Sequence, residues 1–406
     1  MSERLLAPFA GLRVAPEHAD AVAAPPYDVL SVAEARAAAE GRPWSFLHVS
    51  RPEIDLPPET SDGAPALYRG AAAAFAQMIE NGALIRDSAP RFYAYRMATE
   101  GRTQTGLVAA ASLAAYEKSA IKRHESTRPP KVEDRARHIA ALDAQTGPLF
   151  LIHRPVGELR RLIGAACEGP PLCRAVLDGT VTHTLWPIDE AERMEALAAR
   201  FDAIGILYIA DGHHRAAAAQ MAAREMGSPS GRMLTVSFPA DEVRILGYHR
   251  IVRGLNGLAP DAFLRAIGET LRCEPTDGPV EPAQPAQFGM YLEGRWYRLT
   301  AHDLTPARGS VVDRLDVSRL THLVLAPILG IGDPRIDARI DFIGGGRGVD
   351  ALAAAVDAGE ASVAFSLHPI SVDDLMAVAD DSAILPPKTT WFEPKLADGL
   401  VSLPLP

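Results

Sequence analysis

Five residues able to do chemistry stand side by side in the stretch Asp211-Gly212-His213-His214-Arg215. The apolar run GILYIAD leads into them and an alanine-rich run follows. This pattern predicts a short buried strand, a turn and a helix. The start of a helix presents N–H groups without intrahelical partners and a partial positive charge. The turn is therefore a natural place for an anion such as a phosphate.

Each residue of the turn can serve that purpose. Gly212 lets the backbone approach a ligand closely and tolerates a positive φ. His214 can donate to phosphate oxygens, and Arg215 can do so in a bidentate manner. His213 can exchange protons near neutral pH, and Asp211 can act as a base or hold a metal ion. We predict that Asp211 and His213 are catalytic and that Gly212, His214 and Arg215 bind phosphate.

A simpler interpretation is that Asp211 only caps the helix and that the two histidines lie on its surface. Zinc binding is a weaker alternative, because adjacent histidines rarely ligate one metal together and no His-x-x-x-His spacing accompanies them. The residue types alone do not determine which metal ion the site would bind. Mg²⁺, with ATP or ADP, is the combination that phosphoryl transfer would use.

A second charged cluster occupies residues 122–135, KRHESTRPPKVEDR, where a Pro-Pro pair leads into a predicted helix from Val132. Glu125 is a candidate general base, and we predict a catalytic role for it. Lys131 and Arg135 are predicted phosphate ligands, and Arg128 is predicted to bind substrate. The alternative is a solvated charged loop, which is the more common role of such a run.

Two proline-rich segments are also unusual. In the C-terminal stretch ILPPKTTWFEPKLADGL, Lys388 and Lys395 flank aromatic residues. We predict that Lys388 binds substrate in a stiff loop that closes over a ligand, while a tail docked on the core by Trp391 is an equal alternative. In AAPPYDVLS, Tyr27 and Asp28 follow two prolines, and a structural turn is the favoured interpretation.

The surrounding elements indicate a mixed fold. Residues 64–84 read as a helix that ends at Asn81-Gly82, and two alternating strands are predicted on either side of Glu100-Gly101. A hairpin is predicted around Glu293-Gly294. We expect an α+β protein with two lobes.

Three segments are expected along the chain. Residues 1–190 would form an N-terminal α+β lobe that carries the charged loop 122–135. Residues 191–345 would form a lobe with the Asp-Gly-His-His-Arg turn, and residues 346–406 would pack on the core.

Composition excludes some classes of protein. The net charge is −10, which argues against a broad basic surface for nucleic acid but allows a local basic pocket. The three cysteines form no metal-ligand pattern and no disulfide framework, which fits a reducing cytoplasm. The sequence shows neither a signal-peptide pattern nor a run long enough to span a membrane. We expect a cytoplasmic protein with a small-molecule partner, no membrane association and no DNA partner; its oligomeric state is left open.

Several segments together resemble a known family. AAPPYDVLS, RHESTRPPKVEDR, YIADGHHRAAAA, LDVSRLTHLVLAPILGI and PPKTTWFEPKLADGL are similar, in order and over nearly the whole chain, to the bacterial domain-of-unknown-function family numbered 1015. That family has no established general activity. Its members are often encoded beside serine-biosynthesis genes, so the resemblance implies a link to phosphoserine.

The Asp-Gly-His-His-Arg turn also resembles one in a wider superfamily. That superfamily includes the nucleotide-binding domain of chromosome-partition protein B, sulfiredoxin and the free serine kinases, and the resemblance implies a core of that kind with additional α/β elements. In the free serine kinases, an Asp of the turn and a distant Glu serve phosphoryl transfer to the serine hydroxyl. Carried over, the Asp is Asp211, and Glu125 is proposed for the distant Glu. Sulfiredoxin needs a cysteine beside the turn, whereas a histidine stands here, which argues against that activity.

The leading hypothesis is therefore an enzyme that moves a phosphoryl group between a nucleotide and a small hydroxy amino acid such as serine. Phosphoserine dephosphorylation would use the same groups. A nucleotide-binding switch or scaffold without acceptor chemistry is an alternative, and a metal-dependent nuclease is another.

Overall fold

A computed structural model of the chain describes residues 4–227, 231–301 and 309–405. Residues 1–3, which belong to the N-terminal stretch without a predicted signal peptide, lie outside these ranges. The chain divides into two compact units. One extends up to Val243 and includes the residues from Pro394 onwards, and the other is Arg244–Glu393. The bounds of these two units differ from those of the three segments expected from the sequence. The roles expected for those three segments stay predictions.

Helices of very different lengths occur in both units. They are α1 (Ala19–Val22), α2 (Val32–Ala39), α3 (Leu47–Ser50), α4 (Pro65–Glu80), α5 (Leu113–Glu117), α6 (Pro129–Leu142), α7 (Gly157–Ala166), α8 (Ala191–Ile204), α9 (His213–Glu225), α10 (Pro260–Thr270), α11 (Asp316–Leu320), α12 (Asp350–Asp357) and α13 (Val372–Asp380). None of the described helices is long and apolar enough to cross a bilayer.

The strands are mostly short. They are β1 (Leu6–Ala7), β2 (Leu12–Val14), β3 (Leu84–Arg86), β4 (Phe92–Thr99), β5 (Arg102–Ser112), β6 (Ile121–Lys122), β7 (Ala144–Gln145), β8 (Leu149–His153), β9 (Cys173–Leu177), β10 (Val181–Ile188), β11 (Leu207–Asp211), β12 (Arg232–Pro239), β13 (Arg244–Leu246), β14 (Tyr248–Val252), β15 (Leu271–Thr276), β16 (Gln287–Leu292), β17 (Arg295–Ala301), β18 (Ile340–Gly344), β19 (Val363–Leu367), β20 (Trp391–Glu393) and β21 (Val401–Pro404).

The first unit is built on a large mixed sheet with the strand order β6-β11-β8-β12-β5-β4-β10-β9, to which β1 adds beside β5. Most neighbours are antiparallel, while β11 runs parallel to β6 and β12 parallel to β8. A smaller sheet has the order β3-β2-β21-β7. The mixture of sheets and helices confirms the α+β class.

The strand that leads to the turn is an inner strand of the large sheet, next to the edge strand β6. β11 pairs with β6 on one side and β8 on the other, and four of its five residues are buried. This is why the sequence reads as a continuous apolar run rather than an alternating one. The helix α9 follows it and buries Ala216, Ala219 and Ala222. Small side chains on that face let α6 pack closely against it.

Several local predictions are confirmed. α4 ends at Glu80 with Asn81 as its C-cap, and Gly82 follows with a φ of +76°. β4 and β5 pair antiparallel on either side of Glu100-Gly101. The helix expected from Val132 begins three residues earlier, at Pro129. Proline is tolerated in the first turn of a helix, because its missing N–H would have no intrahelical partner there.

The second unit has its own six-stranded sheet, in the order β15-β17-β16-β19-β14-β18. The predicted hairpin around Glu293-Gly294 is confirmed, and it joins β16 to β17. Within this unit, a Cβ added at Gly344 would clash with the Trp391 ring. Trp391 therefore packs directly on the backbone of its own unit.

Candidate functional site

The Asp-Gly-His-His-Arg turn of the first unit lies at the start of α9. Gly212 is the N-cap, and its φ of +97° is a conformation that only glycine adopts readily. No side-chain cap satisfies the first N–H groups of the helix. The turn therefore presents backbone donors and the positive end of the helix dipole, as predicted.

His213 connects the turn to the charged loop. Its Nε2 accepts a hydrogen bond of 3.3 Å from the backbone N–H of His124. Its Nδ1 lies 3.3 Å from Glu125 Oε2. Since Nε2 accepts a hydrogen bond, the neutral form of the ring has its proton on Nδ1. The Nδ1–H then donates a hydrogen bond to Glu125. The histidine is buried while the Glu125 side chain is 41% exposed, so the carboxylate is held in place and still accessible.

The pKa of Glu125 lies below its ordinary value. Partial burial alone would raise it, but the hydrogen bond and the electrostatic interaction with His213 outweigh that effect. The carboxylate is therefore ionised at neutral pH and can accept a proton.

His214 joins the starts of two helices. Its Nε2 accepts a hydrogen bond of 3.0 Å from the backbone N–H of Arg128, the N-cap of α6. Burial lowers the pKa of His214, and the Lys131 ammonium lowers it further, against the opposite effect of Glu125. The positive ends of α6 and α9 thus lie near each other, with Lys131 exposed on the first turn of α6. Two converging helix dipoles and a lysine favour a polyanion.

Asp211 at the end of β11 forms an ion pair with a distant residue. Lys395 Nζ donates to its Oδ2 over 2.8 Å. Burial would raise the pKa of Asp211, but the charge and hydrogen bond of Lys395 outweigh it, and the pKa lies well below the ordinary value. The Asp211 side chain is 40% exposed, so the pair can be reached by a ligand.

Arg215 and Arg135 lie against the same aromatic ring. The guanidinium carbon of Arg135 is 4.6 Å, and that of Arg215 is 5.2 Å, from the centre of the Tyr27 ring. Arg215 Nη1 also donates to Pro148 O over 2.8 Å. Burial would lower the pKa of Arg215, but the carboxylates of Asp398 and Asp28 outweigh it and raise the pKa. Tyr27 stays protonated at neutral pH, because burial and Asp28 raise its pKa to about 12.

A cleft and a cavity of the first unit share Tyr27 and Arg135 as wall residues. An open cleft of about 570 Å³ is lined by the start of α6, including Lys131, and by the Tyr27 turn. That volume is within the range of small-molecule sites. A smaller cavity of about 40 Å³ is lined by Arg215 and Asp398, among others.

The structure thus brings most of the predicted site residues into one region of the first unit. They are Glu125, Arg128, Lys131, Arg135, Asp211, Gly212, His213, His214 and Arg215. Lys388 belongs instead to the second unit, where its Nζ is 5.3 Å from the centre of the Tyr248 ring. The chemical roles of these residues stay predictions. Among the described residues, no group of three or more His, Cys, Asp or Glu could hold a metal ion by itself.

Sequence reasoning missed three participants. Lys395 and Asp398 come from the C-terminal segment, and Tyr27 comes from a turn that was interpreted as structural. The signals were present as Lys-x-x-Asp in EPKLADG and as the Pro-Pro-Tyr-Asp turn. Their partners stand more than 100 positions away along the chain, so no local pattern could pair them.

Comparison with known proteins was made for the sequence and for the structure. The model of a family described as "Protein of unknown function (DUF1015)" matches residues 6–318. No curated protein sequence matches the chain.

Several solved structures are similar over much of the chain. A free serine kinase in complex with AMP has a TM-score of 0.36 and 15% identity, covering 70% of this chain and 86% of that one. A conserved hypothetical protein from Pyrococcus furiosus has a TM-score of 0.35 and 15% identity, covering 72% and 93%. SbnI with a C-terminal truncation, from Staphylococcus aureus, has a TM-score of 0.37 and 14% identity, covering 73% and 87%. These are distant similarities in fold, so the functional argument rests on the residues of the site.

Proposed function

The chain belongs to the family of proteins of unknown function DUF1015, and from that premise we propose that it is a phosphoryl-transfer enzyme. Its substrates would be a nucleotide and a small hydroxy amino acid such as serine. The observation that carries the proposal is the contact of His213 Nδ1 with Glu125 Oε2, 3.3 Å long, beside the uncapped start of α9. This contact supports the proposal, because it keeps an ionised, accessible carboxylate beside a helix start, and helix starts commonly bind anions.

In the forward direction, Glu125 accepts the proton of the substrate hydroxyl. The hydroxyl oxygen then forms a bond to the terminal phosphorus of the nucleotide, and the phosphoanhydride bond breaks. The products are the phosphorylated amino acid and a nucleotide that is shorter by one phosphate. His213, expected to be catalytic from the sequence, acts here by positioning Glu125, because both of its ring nitrogens are engaged within the protein.

The cations around the turn stabilise the transferred group. Lys395 is held by Asp211, and Lys131 and Arg135 line the cleft of about 570 Å³ that a nucleotide would occupy. Pre-positioned charges of this kind act most strongly when water is excluded. His214 offers its Nδ1–H to a phosphate oxygen, since its Nε2 is an acceptor.

Mg²⁺ would be bound largely by the nucleotide in this proposal. Magnesium keeps several waters and commonly uses one or two protein carboxylates together with substrate phosphates. Asp211, partly exposed beside the helix start, is the carboxylate that suits this role. Such an ion would neutralise charge that develops on the phosphates.

The proposal is tested by a thermal-shift screen of the purified chain against ATP, ADP, AMP, CTP, serine, phosphoserine and Mg²⁺. A ligand that binds the native state raises the melting temperature by mass action. We expect a nucleotide to raise it, and the shift to be much smaller in Lys131→Ala, because Lys131 lines the cleft and is exposed. Lys118→Ala is the matched control, because Lys118 is also an exposed lysine of the first unit but does not line the cleft.

Turnover is then measured by the release of the shorter nucleotide, with and without serine. We expect Asp211→Asn to abolish turnover while the variant keeps its fold. Full activity of that variant would remove Asp211 from the mechanism. Nucleotide binding with slow hydrolysis that serine does not stimulate would favour the switch or scaffold alternative.

A further inference from the structure

The cavity of about 40 Å³ in the first unit is lined by Ser50 and Asp398, two residues that the proposed phosphoryl transfer does not use. Its walls come from the Tyr27 turn, α3, α6, the segment 145–147, α9 and the C-terminal segment. A site needs about 10–15 Å³ of such volume for one water molecule. The cavity therefore accommodates about three or four water-sized groups, which suits the head group of a small metabolite.

Two oxygen atoms in the wall have no hydrogen-bond partner among the described residues. They are Asp398 Oδ1 and Ser50 Oγ. Asp398 is 2% exposed and Ser50 is 4% exposed, so bulk water does not satisfy them. An unsatisfied buried polar group costs about 1–3 kcal/mol, and a charged one costs more. Both oxygens are thus positioned to accept hydrogen bonds from a bound donor.

The same cavity also presents positive charge. Arg215 and Arg135 both line it, and Arg215 is anchored by a hydrogen bond to Pro148 O and by its contact with the Tyr27 ring. Gly147 makes room for this arginine, since a Cβ at that position would lie 3.2 Å from its Cζ. A ligand with only a negative charge would be repelled by Asp398, and a ligand with only a positive charge would be repelled by the two arginines. A molecule that carries both charges on adjacent atoms matches both sets of groups.

We propose that this cavity binds the ammonium and carboxylate groups of a free α-amino acid. Asp398 Oδ1 and Ser50 Oγ accept hydrogen bonds from the ammonium group, and Arg215 binds the carboxylate. The inference rests on the proposed function, and it adds where the amino-acid acceptor binds and which groups distinguish it from a hydroxy acid, an alcohol or a peptide. The burial of Asp398 is consistent with this assignment. Burial raises the pKa of its carboxyl group to about 6, because the charged form is poorly solvated. A bound ammonium group would stabilise that charged form.

The position of the cavity fits an acceptor site. Tyr27, Arg135 and His138 line both the cavity and the cleft of about 570 Å³. An amino acid in the cavity and a nucleotide in the cleft would therefore share a boundary. The small volume around Asp398 selects against an acylated amino group, so a peptide or an N-acetyl amino acid is excluded sterically.

The test is isothermal titration calorimetry of the full chain, without nucleotide, with three small ligands. L-serine has both charged groups, 3-hydroxypropanoate lacks the ammonium group, and ethanolamine lacks the carboxylate. We expect serine to bind and each of the other two to bind at least tenfold more weakly. Equal binding of serine and 3-hydroxypropanoate, or no binding of serine, would overturn the inference.

Two variants connect the binding to the named oxygens. Asp398→Asn keeps the shape of the side chain, and we expect it to weaken serine binding at least tenfold while leaving 3-hydroxypropanoate unaffected. Ser50→Ala should weaken serine binding several-fold. If Asp398→Asn does not fold, the affinity of Ser50→Ala for serine decides the test. Ser402→Ala is the matched control, because Ser402 Oγ is also buried and unpartnered but does not line the cavity. Serine affinity equal to that of the native chain in both Asp398→Asn and Ser50→Ala would refute the assignment.

The inference and the proposed function fail in different ways. Phosphoryl transfer to 3-hydroxypropanoate as fast as to serine would support the enzyme and overturn the amino-acid site. Serine binding that depends on Asp398, without phosphoryl transfer from any nucleotide, would support the site and overturn the enzyme.

Discussion

Lys395 Nζ lies 2.8 Å from Asp211 Oδ2, so the last segment of the chain supplies a cation to the turn at the start of α9. The pair is partly exposed, with 18% of the lysine side chain and 40% of the aspartate side chain accessible. Pairs of this kind contribute no more than about 1 kcal/mol to stability. Under the proposed function, the lysine stabilises the transferred phosphoryl group rather than the fold.

Replacing Lys395 with methionine should therefore slow phosphoryl transfer without unfolding the chain. We expect a decrease of about 10²-fold, the usual effect of removing one charge-stabilising donor. The pKa of Asp211 should rise, because Lys395 is the main group that lowers it. The rate of transfer as a function of pH checks both effects, since its acid limb should move to higher pH. Lys118→Met is a control at an exposed lysine, and a native pH profile in Lys395→Met would contradict the prediction.

Replacing Glu125 with glutamine should separate binding from chemistry. The amide keeps the size of the side chain but cannot accept the hydroxyl proton, so turnover should fall by about 10²–10⁴-fold. Nucleotide affinity should change little, because the carboxylate is not a phosphate ligand. Steady-state kinetics and a nucleotide titration measure the two quantities. Glu225→Gln, at the exposed end of α9, is the control, and unchanged turnover in Glu125→Gln would remove the proposed base.

Replacing Gly147 with alanine should displace Arg215. The added Cβ would lie 3.2 Å from the Cζ and Nε atoms of Arg215, which is closer than carbon atoms normally approach such groups. We expect weaker serine binding by about tenfold, since a carboxylate contact to a displaced guanidinium loses its geometry. Calorimetry with serine checks this. Gly157→Ala is a control at a helical glycine with open space around it. Native affinity in Gly147→Ala would show that Arg215 does not set the carboxylate site.

Asp398 should make the native chain less stable as the pH rises. Burial raises its pKa from 3.8 to about 6, so the folded state holds the proton more tightly than the unfolded state. The resulting stability is fully present below pH 3.8 and is lost as the pH rises through about 6. A shift of that size corresponds to about 3 kcal/mol.

Urea denaturation of the native chain and of Asp398→Asn between pH 4 and pH 7.5 measures this effect. Buried histidines such as His138 and His153, whose pKa burial lowers to about 4, act in the opposite direction and lose stability as the pH falls. Their contribution is common to both proteins and cancels in the difference. We expect the free energy of unfolding of the native chain to fall relative to that of Asp398→Asn as the pH rises. If the two free energies change in parallel with pH, the raised pKa of Asp398 is wrong.

Local features were predictable from sequence. The strand, turn and helix around Gly212 follow from an apolar run, a glycine and an alanine-rich stretch within about 20 residues. The helix Pro65–Glu80 and the hairpin at Glu293-Gly294 follow from similar short patterns. Interactions between neighbours in the chain decide such elements, so one sequence carries enough information for them.

The partners of the turn were only partly predictable. Glu125 was proposed as a base because a charged loop stood before a helix, and the structure places it beside His213. The pairing of Asp211 with Lys395, and the stacking of Arg135 and Arg215 on Tyr27, had no local signal. Each joins segments that the fold brings together across the unit, and no periodicity of the chain reports such contacts.

The sequence by itself therefore determined the chemistry of the turn, because residue types and their local spacing set which groups a helix start can present. Only the tertiary structure decided which oxygens stay unpaired. Asp398 Oδ1 and Ser50 Oγ are polar atoms of ordinary residues, and their lack of partners depends on the packing of α3, α6 and the C-terminal segment around one cavity. Burial without a partner is a property of three-dimensional packing, so it cannot be read from the order of residues.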